Sequence, residues 1–183
     1  ILGAVLLFFL ITIGVFGELP DRRDLENPKS YLASEIISAD QQLLGKYYIE
    51  NRSNLHYEQL PENLVNALVA TEDARFHRHS GVDLRALIRA ISHLGRAGGG
   101  STLSQQTAKN LFPREDLNKL EFMIRKLKEW VLATQLEYHY TKEELIAMYL
   151  NTVPFGMNNF GIKTASKTYF GKEAIELKTE EAA

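Results

Sequence analysis

The chain has 183 residues, 45% of them hydrophobic, with a net charge of −2 and no cysteine. Length and apolar content suit one domain with a real core and exclude a disordered tail. The missing cysteine excludes a disulfide framework and a thiolate zinc site. The small net charge hides an asymmetry: Leu84 to Lys128 carries nine Lys or Arg against three acids, a local +6 that leaves −8 for the rest. A basic middle in a mildly acidic chain points to an anionic partner, phosphate, nucleic acid or lipid head group, with a solvated mixed surface as the plain alternative.

Residues 1–17, ILGAVLLFFLITIGVFG, carry no charge. They are at the short end of a membrane span, which needs about 20 residues, and no A-x-A-like site follows to favour a cleaved signal peptide. The expectation is an N-terminal transmembrane anchor that leaves the following domain outside the cell membrane. Residues 18–60 read as a polar linker and a small β arm, with β-prone runs at Tyr31–Ile37 and Leu43–Ile49 that could pair as a hairpin. From Pro61 the pattern turns helical, and residues 61–183 are expected to form the main domain. Leu64, Val65, Leu68 and Val69 share a helix that delivers Glu72 and Asp73. Asp83 suits the N-cap of a helix with Leu84, Leu87, Ile88 and Ile91 on one face, closed by Gly95. Ser101 or Thr102 caps the next helix, Thr102 with Gln105 fits a capping box, and Pro113 stops that helix. A charged loop from Arg114 to Leu120 precedes a long helix over about 122–140, with Leu127, Trp130, Val131 and Leu136 for its core. Thr141 with Glu144 is a second capping box, opening a helix to about Asn151, and a last helix spans about 161–169. The fold expected is mainly α with one small β element.

Three stretches could carry chemistry. In Ala70–Asp83, adjacent carboxylates Glu72 and Asp73 are followed by Phe76, His77, His79 and Gly81, a way of placing a carboxylate at the mouth of a cleft; solvated charges at a helix end are the alternative. In Gly99–Asn110, glycines before a hydroxyl-capped helix bare backbone N–H groups that suit an anion. The spacing of Gly95, Gly100, Ser101 and Thr102 is superficially that of a P-loop, but the lysine is missing and no strand precedes it, so nucleotide binding is rejected. A plain glycine turn with an N-cap remains open, yet Gln105 and Lys109, four apart, could present an amide and a cation to a sugar or phosphate. In Arg125–Glu129, Arg125 and Glu129 are four apart with Lys128 beside them: either a surface ion pair or a carboxylate held by cations. His77 and His79 with Glu72 and Asp73 are a weak metal pattern; a structural His79 is the better reading, and no metal ligand is assigned.

With these stretches in order, the chain resembles the peptidoglycan glycosyltransferases of glycosyltransferase family 51, found in class A penicillin-binding proteins and monofunctional transglycosylases. A first motif, ED-x-x-F-x-x-H-x-G-h-D, is matched by Glu72, Asp73, Phe76, His79, Gly81 and Asp83. A second, GGST-x-x-QQ-x-x-KN, is matched by Gly99 to Asn110. A third, RK-x-x-E, is matched by Arg125, Lys126 and Glu129, and a fourth by Lys142, Glu144, Tyr149, Leu150 and Asn151. A fifth is matched in part by Phe155-Gly156, Gly161-Ile162 and Tyr169-Phe170-Gly171. Departures are Met148 where the family often has Glu, and Ala165-Ser166 where two alanines are usual. The family's domain normally continues past Ala183, which implies a truncated one, and no Ser-x-x-Lys or Lys-Thr-Gly of a transpeptidase occurs in this sequence.

The resemblance implies a lysozyme-like, two-lobed fold that polymerises lipid II into β-1,4 glycan strands with inversion, releasing undecaprenyl pyrophosphate. It implies Glu72 as the base, its pKa raised by burial, and Glu129 as the second carboxylate. Lys109, Arg114, Arg125 and Lys128 would meet the pyrophosphate. Asp73, Phe76, His79, Gly100, Ser101, Thr102, Gln105, Gln106 and Asn151 would bind substrate or support the cleft. It implies no tightly bound cofactor, with Mg²⁺ or Mn²⁺ arriving on the substrate diphosphate, and an apolar jaw near Leu111–Met123 touching the bilayer. Partners would be lipid II, the growing strand, the membrane and other cell-wall synthesis proteins, with no nucleic acid. The setting would be the extracytoplasmic face of a bacterial cytoplasmic membrane. A lytic, lysozyme-like enzyme and a catalytically silent membrane-anchored scaffold are the alternatives; the cations speak against the first, the intact acids against the second.

Overall fold

The computed structural model describes residues 9–16, 19–20, 34–40, 43–47, 51–52, 54–92, 99–112 and 119–182. Most of the expected anchor, Gly95, Pro113 and Arg114 lie outside these residues. Residues 9–12 are helical, and among the described residues no helix is long and apolar enough to cross a membrane.

The β arm is a hairpin. Strand β1 (Ser34–Ile37) pairs antiparallel with β2 (Leu43–Tyr47), in a register from Ser34 opposite Tyr47 to Ile37 opposite Leu43, with an irregularity after Ile36. A second pairing has no sequence signal. The two-residue β3 (Asn51–Arg52) lies parallel to β4 (Asn159–Phe160) and ties the arm's end to the C-terminal region.

Seven helices follow among the described residues: α1 (Glu62–Glu72), α2 (Leu84–Ser92), α3 (Leu103–Leu111), α4 (Lys119–His139), α5 (Lys142–Thr152), α6 (Ile162–Phe170) and α7 (Thr179–Ala182). Pro61 is the residue before α1 rather than its first, a shift of one. Asp83 caps α2 as expected, its Oδ1 accepting from the N–H of Arg85 and Ala86. Thr102 caps α3 through the Gln105 N–H, but the box stays open because the Gln105 amide donates to Gly81 O instead. Thr141 and Glu144 close their capping box on α5.

Helix α3 is the centre of the domain, packed on both α4 and α5. It is buried although polar: Ser104, Gln105 and Thr107 join Leu103 and Ala108 inside. Such groups need partners. Thr107 returns its hydroxyl to Leu103 O at 2.9 Å, and Ser104 bonds Glu137 of α4. The apolar core around it joins Leu64 and Val65 of α1, Phe76, Leu132 and Leu136 of α4, and Leu145, Ile146 and Leu150 of α5. On α4 the buried face is Val131, Leu132, Ala133 and Leu136, while Leu127 and Trp130 are only half-buried.

The expected core face of α2 is not buried. Leu84 and Ile88 are 65% and 67% exposed. The helix packs instead through its small side: a Cβ added at Gly100 would meet Ala90 Cβ at 3.2 Å and Leu87 Cα at 3.3 Å. Close approach of two backbones displaced the apolar stripe from the core.

Candidate active site

Glu72 is the last residue of α1 and Asp73 the first beyond it, with φ at −155°. The two neighbouring carboxylates differ in burial and in partners. Asp73 is buried, where Oδ2 accepts from the Leu103 N–H at 3.0 Å and His79 Nε2 stands 3.0 Å away. It thereby satisfies an otherwise open amide at the start of α3. Glu72 is exposed and accepts at 2.9 Å from the Gln106 amide of α3. The burial expected at Glu72 is absent, because α1 ends at the rim of a cleft.

That cleft is about 360 Å³, lined by Glu72, Asp73, Arg75, Arg89, Ser101 and Gln106 among others. Arg75 holds Asp83 at 2.8 Å. Burial would push the Asp83 carboxyl up, but the Ala86 N–H, the Arg75 charge and the Arg85 N–H together bring it below its ordinary value. Behind Gln106, the Tyr149 hydroxyl of α5 reaches the amide oxygen at 3.3 Å. Burial and then the Glu72 charge hold that hydroxyl above the usual tyrosine value.

A second pocket, about 90 Å³, is lined by Ala108, Lys109, Phe112, Arg125, Lys128, Glu129 and Leu132. Lys109, Arg125 and Lys128 thus converge, as the charge asymmetry suggested. Glu129 and Lys128 are buried, at 7% and 4% exposure. Arg125 stands 3.7 Å from Glu129 and Lys126 2.8 Å, so this is no surface pair. Lys126 also donates to Ser101 Oγ at 3.0 Å. Through Ser101–Lys126–Glu129 on one side and Gln106–Glu72 on the other, α3 and the turn that leads into it connect the two carboxylates. Among the described residues no three His, Asp or Glu side chains group to hold a metal ion.

Several of the site residues named from the sequence turn inward and take the supporting role of the two expected for them. Phe76 is fully buried, with the Lys142 ammonium 4.2 Å from its ring centre. His79 spends Nε2 on Asp73. Thr102 donates to Gly81 O at 2.6 Å while lining the cleft floor. Gln105, expected beside Lys109 on an open face, is 1% exposed and bound to Gly81 O. Asn151 clamps Leu55 through both its amide atoms, at 2.9 and 2.8 Å. Gly100 packs on α2, and Arg114 lies outside the described residues.

Lys126, Tyr149 and Lys142 stand in the sequence motifs without an assigned role, and Arg75, Arg89 and Glu137 were not singled out. The i, i+3 spacing of Lys126 to Glu129 was a usable signal. For Tyr149, whose partner is 43 positions away, there was none.

A carboxylate cleft and a cation-lined pocket thus both border the polar helix α3. The family model described as Transglycosylase matches residues 40–183, and the chain belongs to that family. Over all of its length it is 38% identical to penicillin-binding protein 1A of Aquifex aeolicus (strain VF5), of which it covers 26%. It is 36% identical, over 91% of the chain and 20% of the relative, to penicillin-binding protein 1A of Escherichia coli (strain K12). To penicillin-binding protein 2a of Streptococcus pneumoniae (strain ATCC BAA-255 / R6) it is 42% identical over 81% of the chain and 20% of the relative. The chain spans about a quarter or less of the length of these relatives.

Proposed function

We propose that this domain is a peptidoglycan glycosyltransferase that joins lipid II units into β-1,4 glycan strands with inversion, releasing undecaprenyl pyrophosphate. The observation that carries the reading is the pair of sites on α3: an exposed carboxylate at one, and three cations around a buried carboxylate at the other. Glu72 takes the proton from the 4-hydroxyl of the acceptor sugar as its oxygen attacks C1 of the donor. The C1–O bond to the diphosphate breaks, and the leaving oxygen gathers negative charge. Lys109, Arg125 and Lys128 stand where that charge develops, in a partly dry pocket that strengthens the interaction. Glu129 holds Arg125 of that set, and Lys126 beside it. One carboxylate against that many cations is a poor set for a resident divalent ion. Any Mg²⁺ or Mn²⁺ comes with the diphosphate, and no step here depends on it.

A substrate with a polyprenyl tail requires contact with the bilayer. The exposed Leu84 and Ile88 of α2 and Phe122 and Met123 of α4 support such a contact, widening the jaw expected around Leu111–Met123. With the apolar run at residues 1–17, they support a lysozyme-like domain anchored at the extracytoplasmic face of a bacterial cytoplasmic membrane, beside other cell-wall synthesis proteins. Nucleic acid has no part in this reading.

The test is polymerisation of labelled lipid II in detergent by the chain and by Glu72→Gln. Strands from the parent and none from the variant are expected. Equal turnover would remove Glu72 from the mechanism, and cleavage of preformed glycan without polymer would move the domain to the lytic class.

A further inference from the structure

Gln106 cannot choose its own orientation. Glu72 can only accept, so the amide nitrogen must face it, and the amide oxygen is left facing Tyr149. An oxygen there needs a donor, and the Tyr149 hydroxyl is the one that reaches it. Tyr149 is buried at 6% exposure on α5, behind the residues that line the cleft.

We infer that Tyr149 is a positioning residue for Glu72, acting through Gln106. The inference rests on Glu72 as the base. The hydroxyl pins the amide, the amide holds one carboxylate oxygen, and the other oxygen stays aimed at the acceptor hydroxyl. At 3.3 Å the Tyr149–Gln106 contact is long, as such contacts are before substrate closes the site. Asp73, Arg75, Asp83 and Arg89 also line the cleft. Asp73 is engaged by Leu103 N and His79, and Asp83 by Arg75 and the first amides of α2. The raised hydroxyl of Tyr149, which feels the Glu72 charge, agrees with this line of contact.

The experiment uses Tyr149→Phe, which keeps the buried ring, and Gln106→Met, which keeps the length of the side chain. Both are assayed with labelled lipid II beside the parent and Glu72→Gln. Tyr149→Phe is expected to lower kcat roughly three- to tenfold with KM unchanged, the scale of one neutral hydrogen bond. The acidic limb of its kcat/KM profile moves to higher pH, because a donor that favours the ionised carboxylate is no longer fixed. In the Gln106→Met background the same substitution changes nothing further. Independently of turnover, carbon NMR of labelled tyrosine should show Tyr149 titrating at lower pH in Glu72→Gln than in the parent. An unmoved limb, or effects that multiply in the double variant, overturns the inference while leaving Glu72 as base. An active Glu72→Gln overturns the functional reading itself, and the inference with it.

Discussion

Lys142 is expected to matter for folding rather than chemistry, and the size of its effect follows from its partners. Its ammonium contacts Glu137 at 2.8 and 2.7 Å, donates to His79 O at 2.8 Å, and lies over the Phe76 ring. The Glu137 side chain is 6% exposed and that of Lys142 22%. Lys142→Met keeps the stem but leaves a buried carboxylate with only the Ser104 hydroxyl, and a carbonyl without its donor. Breaking a fully buried pair from one side costs about 3–5 kcal/mol; partial access of water to Lys142 reduces this to about 2–4. Against a total stability of about 5–15 kcal/mol that is a large share. Urea unfolding followed by circular dichroism should show a lower midpoint at an unchanged slope. Glu137→Gln alone should cost a similar amount, and the double variant less than the sum by at least about 1 kcal/mol. A Lys142→Met protein within about 0.5 kcal/mol of the parent, or strict additivity, would refute the reasoning.

Gly81→Ala fails twice, at φ +93° and with its Cβ 2.8 Å from Thr134 N, so a loss of roughly 3 kcal/mol is expected. A thermal melt should fall by about 6–12 °C, and a drop under about 2 °C would mean α4 yields easily there. Asp83 has its folded carboxyl lowered from the ordinary 3.8, so its contribution is fully present above that value and lost as pH falls through the folded one. Asp83→Asn should therefore flatten the acid end of the stability profile, below about pH 4, in titrations followed by the single tryptophan, Trp130. An unchanged acid slope would show that Arg75 and the α2 amides do not hold the charge.

What was legible in the sequence was local. Caps at Asp83, Thr102 and Thr141 speak through one turn of chain, and all three appear. The cations of the basic middle were visible as a charge count, and Lys109, Arg125 and Lys128 do meet at one pocket. What failed was direction. The period of α2 reports an apolar stripe but cannot say what covers it, and the small face won because Gly100 admits a closer approach. Gln105 and Lys109 share a face by spacing, yet Gly81 O draws the first inward. The parallel pairing of β3 with β4 joins segments more than 100 positions apart, which no local pattern encodes.

The motif residues divide by what they touch, and the division explains why they stand so close in sequence. Asp73, Thr102, Gln105 and Asn151 bind backbone, at Leu103 N, Gly81 O twice, and both groups of Leu55, and Asp73 also faces His79. Three of them stand next to a residue that faces the cleft: Glu72 beside Asp73, Ser101 beside Thr102, Gln106 beside Gln105. A short polar helix cannot be buried unless its own side chains satisfy it, and it cannot present groups to a cleft unless it is held rigidly. Alternating the two tasks at the end of α1 and from Ser101 into α3 meets both needs at once. Removing an inward member should therefore disturb the outward neighbour's position as well as stability, whereas removing Lys109, which is exposed and held by no such anchor, should leave the fold intact.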